Sequence, residues 1–585
     1  MHPSTALASV VLDELTRCGV REVVLCPGSR SAPLAYAAAD LERQGQLRLH
    51  VRVDERSAGF LALGLAKETR RPAVVITTSG TAVANLHPAV LEASHGAVPL
   101  IVLSADRPAE LRGTGANQTT RQPGIFGGAV RFSRDQPPAT GYAGEQAGWR
   151  STVCRAMAAA VGHGGDAGPA HLNVALREPL TPDRNDSTWG EDLAGRPDGM
   201  PWVQWEAESA VLAAPAEMTV STSAAPEPRH TRTLMVLGDL PDPALAARAL
   251  KVAAEHDWPV IAEPFGTRPA IRHASLLGHG PLVLADTTFV QANTPGRVLM
   301  VGRTTLHRDL AASGLTGRSD VTVQHVSATT TWTDPSHMVS AVHSWRWLTG
   351  SQHASNDPAW TQHWRSAGDA LSDRLSPALT GSSVAGVSIA HAVLAGLSSA
   401  DTLVLGSSNT PRDLNVADPE AAGRATIIGN RGLSGIDGTV SSAVGTALAH
   451  QGPGRVVALL GDLTFQHDIN GLLIGSGEPR PDLTIVINND DGGGIFATLE
   501  YGKGEHRADL RRLFTTPIGV DCEALCRGYG VAHQRVDTLD GLTTALAAPV
   551  SGIRVIEVVV DPIVDQQARD DLRTAAAQRT GLTGY

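Results

Sequence analysis

Apolar residues in this chain gather in two kinds of run. Short stretches dense in Val, Ile and Leu recur at REVVLC, LHVRV, RPAVVITT and PLIVLS, and stretches with helical spacing, such as SAGFLALGLAKE and TAVANLHPAVLEASHG, lie between them. Strands that are apolar on both faces and joined by helices predict a parallel sheet covered on both sides. After a break, the rhythm resumes from about 232 to 345 with TLMVLGDL, WPVIAE, GRVLMVG and DVTVQHV as strands, followed by a helical and polar segment over 346–380. A third block from about 381 carries TLVLGS, ATIIGN, RVVALLGDL, LTIVINN and IRVIEVVV. No fixed-period repeat is visible, although the outer blocks share a style.

The break itself, PDRNDSTWGEDLAGRPDG and APAEMTVSTSAAPEPRH, is rich in Pro, Ser, Asp and Gly and has little periodicity, which predicts a linker or exposed surface. A chain of 585 residues exceeds what one core supports. The expected organisation is α/β throughout: a first domain over 1–185, a linker over 186–231, a central domain over 232–380 and a last domain over 381–585.

Composition narrows the function. Hydrophobic residues at 42% and charged residues at 18% describe an ordinary globular chain, and a net charge of -11 argues against a general nucleic-acid or anionic-membrane binder. The five cysteines form no paired framework, so free thiols in a reducing cytoplasm are expected. The N-terminal stretch MHPSTALASVVLDELTRCGV lacks a basic start and reads as an amphipathic helix, not a signal peptide. No apolar run reaches the roughly 18 residues that a membrane span needs.

In open parallel sheets, ligands bind beyond the carboxyl ends of the strands, so the residues that directly follow each strand are the candidates. In LHVRVDERSAGFLALGLA, Asp54 and Glu55 stand where a strand hands over to a helix bound for the interior. Capping is the ordinary reason for acidic residues at a helix start. In the third block, RVVALLGDL puts Asp462 at a strand end and LTIVINNDDGGG puts Asn489, Asp490 and Gly492 at the next. One crossover would bring these together as an all-oxygen site for Mg2+ and a diphosphate, with GGGIF opening a helix toward phosphate. Turn chemistry alone also explains Asn, Asp and Gly at such places. Arg30, Arg107, Arg412 and Arg431 each sit in a loop just after a strand. Guanidinium forks grip carboxylates bidentately, so four near one cleft suit a substrate with several carboxylates.

Taken together, PGSRSAPLA, VDERSAGFLALGLAK, TTSGTAVANLHPAV, SADRPAELRGTGANQ, GNRGLSGIDG, and GDLTFQHD with NNDDGGGIF resemble the thiamine-diphosphate enzymes, and within them the branch that serves menaquinone biosynthesis. GDL stands where the wider superfamily has GDG, a departure that this branch shares. The outer blocks carry the resemblance; the middle block matches mainly in style. It implies pyrimidine-binding, central and diphosphate-binding domains, with each active site formed between the first domain of one subunit and the third of another, hence a homodimer or homotetramer.

By the same resemblance, Glu55 contacts the aminopyrimidine ring of thiamine diphosphate and favours its imino tautomer, so that the ring's exocyclic nitrogen can take the thiazolium proton. Ser407, Ser408, Ile436, Asp462, Leu463, Asp490, Gly492 and Ile495 would be the other cofactor contacts, with Ile436 as the wedge that holds the cofactor bent. Mg2+ or Mn2+ would bind Asp462, Gly492 and either Asn489 or Asp490; counting from Ile495 selects Asp490 and counting from Asp462 selects Asn489. The implied reaction decarboxylates 2-oxoglutarate and adds the remaining four-carbon unit to isochorismate by conjugate addition. Ser29, Arg30, Arg107, Asn117, Gln118, Ser408, Arg412 and Arg431 would line the substrate side, and Ile495, Phe496 and Leu499 an apolar wall. The rival readings are another thiamine-diphosphate decarboxylase or acetohydroxyacid-type synthase, and a non-catalytic diphosphate-binding regulator. The arginine set argues against small apolar substrates, and Glu55 argues against a pure binder.

Overall fold

The computed structural model describes all residues except 184, 186–187, 206–229, 267–273, 307, 351–352, 382, 418–424, 503 and 579–585. Most of the linker expected over 186–231 therefore lies outside the described residues. The chain forms two compact units, one comprising Met1–Ala210, Asn430–Gln451 and His467–Pro481, the other Val211–Gly429, Gly452–Gln466 and Asp482–Tyr585.

The first unit is built on six parallel strands, β1 (Glu22–Leu25), β2 (Arg48–Val51), β3 (Ala73–Thr77), β4 (Leu100–Asp106), β5 (Phe132–Gln136) and β6 (Pro169–Ala175), in the order β2-β1-β3-β4-β6-β5. β1, β3, β4 and β6 are buried along their whole length. Burial on both faces is why β1, β3 and β4 run largely apolar without alternation. The Pro3–Arg17 helix lays Leu7, Val11, Leu12 and Leu15 into this core beside Trp149 and Val153 of the Glu145–Ala160 helix. The helix that begins at Glu55 is buried from Ser57 to Ala66 because a second helix, Thr439–Ala449, crosses its outer face. Small residues set that crossing. A Cβ on Gly64 would lie 2.1 Å from the Ser442 carbonyl oxygen, and one on Gly445 would lie 2.2 Å from that of Leu61.

The second unit holds two all-parallel sheets. β7 (Thr233–Leu237), β8 (Val260–Ala262), β9 (Arg297–Val301), β10 (Thr322–Val326) and β11 (Val339–His343) run in the order β11-β10-β9-β7-β8. The segment expected to be polar, 346–380, is helical over Trp345–Gly350 and Pro358–Thr380. It is amphipathic, because Trp360, Trp364, Leu371, Leu375 and Leu379 are buried against this sheet. The last sheet comprises β12 (Thr402–Leu405), β13 (Thr426–Gly429), β14 (Val456–Gly461), β15 (Leu483–Asn489), β16 (Ala532–Val536) and β17 (Ile553–Val559) in the order β13-β12-β14-β15-β17-β16. Numbered within its own block, that order is the order of the first sheet, a likeness that the residues themselves do not display.

Four strands have no counterpart in the sequence reading. β5, β11 and β16 are exposed or half-buried over most of their length, so β5 and β16 stay polar and β11 (VSAVH) mixes polar with apolar residues too briefly to read as a buried strand. β6 is fully buried yet carries His171 and Asn173, which breaks the apolar signal. Most of this polarity is met internally: Ser104 Oγ lies 2.7 Å from His171 Nε2 and donates to Asn173 Oδ1 at 2.9 Å, and Asn173 Nδ2 donates to Asp106 at 2.9 Å, while His171 Nδ1 is buried without a partner. No helix among the described residues is long and apolar enough to cross a membrane.

Candidate active site

In both outer sheets the chain reverses direction between the first strand of the block and the third, and the crevice beyond the carboxyl ends of those strands is where such sheets bind ligands. The candidate residues fall at these addresses in each unit.

In the first unit, Asp54 and Glu55 divide the work posed by their position. Asp54 is the N-cap of the Glu55–Thr69 helix, accepting from Ser57 N–H at 3.1 Å and from Asn470 Nδ2 at 2.8 Å. Glu55 is therefore released from capping. Its carboxylate is half-buried and has the Asn85 amide at 3.5 Å. Ser29 and Arg30 follow β1. Ser29 is exposed, whereas Arg30 donates to the Leu176 carbonyl at 2.9 Å and leaves its Nε without a partner. Burial and the neighbouring Arg107 charge lower the Arg30 guanidinium from its ordinary range, so the two cations share one neighbourhood. Arg107, after β4, donates to Ser79 Oγ and to the Gln118 carbonyl at 2.7 Å. Gln118 holds a left-handed backbone with φ 54° and returns its side-chain amide to the Ser79 carbonyl at 3.2 Å. Asn117 beside it is exposed.

Arg431, 5% exposed, and the half-buried Ile436 lie on the loop that precedes the Thr439–Ala449 helix. Glu92 fastens this loop, accepting from Gly432 N–H at 2.7 Å and Leu433 N–H at 2.8 Å. Gly438 closes it at φ 67°, where a Cβ would lie 1.8 Å from the Phe60 ring. Ser79, Gln122 and Glu92 were missed by the sequence reading. Ser79 and Gly80 follow β3 directly, so the strand-end rule applied to TTSGT would have found them; Gln122, which accepts from Gly80 N–H at 2.9 Å, and Glu92 carry no such signal.

In the second unit, β14 and β15 are neighbours with Gly461 opposite Asn488, which sets Asp462 level with Asn489. Asp462 is 2% exposed. Burial pushes its carboxyl up to about 6, although N–H groups of Leu463 and Gly492 donate to it, and its Oδ1 has no partner. Burial, followed by the Asp462 and Asp565 charges, pushes Asp490 up to about 8. Asn489 is otherwise engaged: its Nδ2 donates to Glu557 at 2.6 Å and its Oδ1 accepts from Asp491 N–H at 3.1 Å. Gly492 holds φ 144°, with room denied to a Cβ by the Thr515 carbonyl at 2.2 Å. Two adjacent carboxyls that resist ionisation alone, one with an orphaned oxygen, form a donor set that a divalent cation would satisfy.

After β12, Ser407 is buried and Ser408 adopts φ 75°, its carbonyl accepting from Arg412 Nη1. Leu463, Ile495, Phe496 and Leu499 are half-buried. GGGIF opens a five-residue 3-10 turn, Gly494–Thr498, in place of the expected α-helix. Phe496 packs at 5.6 Å on Phe514, which stacks at 4.5 Å on Tyr501, so the apolar wall is wider than the sequence indicated.

Comparison with known proteins agrees with this geometry. Residues 5–125 match the thiamine pyrophosphate enzyme N-terminal TPP binding domain and residues 419–558 the C-terminal TPP binding domain. Fold and site thus define a thiamine pyrophosphate enzyme. Among similar proteins, the 2-succinyl-5-enolpyruvyl-6-hydroxy-3-cyclohexene-1-carboxylate synthase of Rhodococcus erythropolis is 46% identical over 96% of this chain and 97% of its own length. Those of Saccharopolyspora erythraea and Mycobacteroides abscessus are 44% and 43% identical over 96% and 98% of the chain and 96% and 100% of their own lengths. The chain belongs to this synthase family.

Proposed function

We propose that the protein is a transferase that decarboxylates 2-oxoglutarate and adds the resulting four-carbon unit to isochorismate by conjugate addition, giving 2-succinyl-5-enolpyruvyl-6-hydroxy-3-cyclohexene-1-carboxylate for menaquinone biosynthesis. The observation that carries this reading is the buried Asp462 carboxylate, braced by two N–H groups with Oδ1 free beside Asp490. Asp462, Asp490 and the Gly492 backbone would hold Mg2+ or Mn2+, and Ser407, Ser408 and Leu463 would flank the diphosphate. Asp490 is preferred to Asn489 because both polar ends of the Asn489 amide are already engaged.

When bound, thiamine diphosphate supplies a nucleophilic thiazolium carbon and an electron sink for the loss of carbon dioxide. Glu55 would hold a proton against a ring nitrogen of the aminopyrimidine, which Asp54 leaves it free to do. Ile436 would pack against the bound cofactor. Arg30, Arg107, Arg412 and Arg431 bind substrate carboxylates, with Ser29, Asn117 and Gln118 completing the polar lining. Ile495, Phe496 and Leu499 keep water from the reacting carbon. Domains spanning 1–185, 232–380 and 381–585, a homodimer or homotetramer, and a cytoplasmic setting complete the proposal. The test is carbon dioxide release from 2-oxoglutarate by purified protein with thiamine diphosphate and Mg2+, followed with and without isochorismate. An adduct of the expected mass supports the reading; decarboxylation that ignores isochorismate overturns it.

A further inference from the structure

The Pro3–Arg17 helix ends on Cys18, whose Sγ lies 3.9 Å from Sγ of Cys154 on the Glu145–Ala160 helix. Cys154 is 1% exposed, whereas Cys18 is half-buried and is the sulfur that small molecules reach first. The Cys154 thiol donates to Glu14 Oε1 at 3.2 Å, so the Cys18 S–H is left to point at Cys154 and a proton relay runs from sulfur to sulfur to carboxylate. Glu14, 0% exposed, is held in place by Arg150 Nη1 at 2.6 Å and Trp202 N–H at 2.5 Å.

This cluster has the composition of a metal site, but Arg150 puts a guanidinium where a cation would need to be, 2.6 Å from Glu14 and 2.8 Å from Asp13. Both Glu14 oxygens are also occupied. The arrangement suits redox chemistry instead. A disulfide of about 2.05 Å needs the sulfurs to close by roughly 1.9 Å.

We propose that Cys18 and Cys154 are a peroxide-sensitive dithiol that closes to a reversible disulfide, with Glu14 as the proton acceptor. Peroxide transfers one oxygen to Cys18, giving a sulfenic acid and water. Cys154 passes its proton to Glu14 and attacks the Cys18 sulfur. The S–O bond breaks, and the departing hydroxide recovers that proton as a second water. The two thiols lose two electrons, and the O–O bond of peroxide accepts them. Hydrogen bonds from Cys18 and from Val203 N–H draw the Cys154 thiol below its ordinary range, which suits it to the resolving attack, whereas its hydrogen bond to Cys154 and burial hold the Cys18 thiol above its own, so the reaction with peroxide is the slower step. Cys18 lies before β1, at the opposite end of that strand from Ser29 and Arg30, so the link forms away from those two residues.

The experiment is peptide mapping of the full-length protein under non-reducing conditions after treatment with hydrogen peroxide. The expected result is a peptide joining Cys18 to Cys154, lighter by two hydrogens, with both thiols lost to alkylation together and restored by dithiothreitol. Cys18→Ser and Cys154→Ser should each abolish the link, and Glu14→Gln should slow it several-fold. If Cys18 proceeds to sulfinic acid while Cys154 stays open to alkylation, or if a different cysteine pair is linked first, the proposal is wrong.

Discussion

Adjacent acids at a helix start can be told apart only by their partners. Asp54 is committed to Ser57 N–H and Asn470, so Glu55→Gln should leave the helix intact. The expected outcome is unchanged melting, retained uptake of thiamine diphosphate by calorimetry, and turnover lower by about a hundredfold or more. A similar division separates Asn489 from Asp490. Asp490→Asn should weaken Mg2+-dependent cofactor uptake at least tenfold. Asn489→Ala should act first on stability, by roughly 1–3 kcal/mol in denaturant unfolding, because it strips Glu557 of a buried donor. Asp462, Asp490 and the four arginines could be nominated at this scale because residue type and place after a strand are written in the chain, whereas Ser29, Asn117, Gln118 and Ile436 were nominated by resemblance. Their partners were not: Glu92, which fastens the Arg431 loop, comes from a helix more than three hundred positions upstream.

Two elements carry consequences of their own. The crossing of the Glu55–Thr69 and Thr439–Ala449 helices depends on Gly64 and Gly445, whose missing side chains let backbone meet backbone. Gly445→Val should drive the helices apart and cost about 2–3 kcal/mol or more in denaturant unfolding. β6 shows why a buried strand can hide from pattern reading: its polar residues pair across to Ser104 and Asp106 on β4, a match that only the sheet reveals. Burial lowers His171 to about 4, so the folded state holds this ring neutral while the unfolded chain charges it near its ordinary value. Stability from this group is complete above about pH 6.5 and is lost as pH falls from there toward 4. His171→Gln, which cannot charge, should flatten the fall in Tm across that window.

At the scale of the whole molecule, the parallel α/β character was legible because central strands buried on both faces leave an apolar record. The edges β5, β11 and β16 left little, since exposure lets polar side chains fill β5 and β16 and interrupt β11. The proposed sharing of sites between subunits has a direct test. Glu55→Gln and Asp462→Ala proteins, each inactive alone, should recover roughly a quarter of the wild-type rate when mixed and reassembled in equal amounts, because half-mutant dimers regain one intact site. No recovery after verified exchange of subunits would place both residues in the same chain's site.

The common strand order of the first and last sheets also has a meaning for descent. The same two addresses, after strand one and strand three of a block, hold Ser29 with Arg30 and Ser79 in one case and Ser407 with Ser408 and Asp462 in the other. A single ancestral scaffold, copied and then respecialised, would yield this arrangement: one copy retuned toward organic acids, its sibling toward a metal and phosphate. The route of the backbone would then have outlived every trace of kinship in the letters.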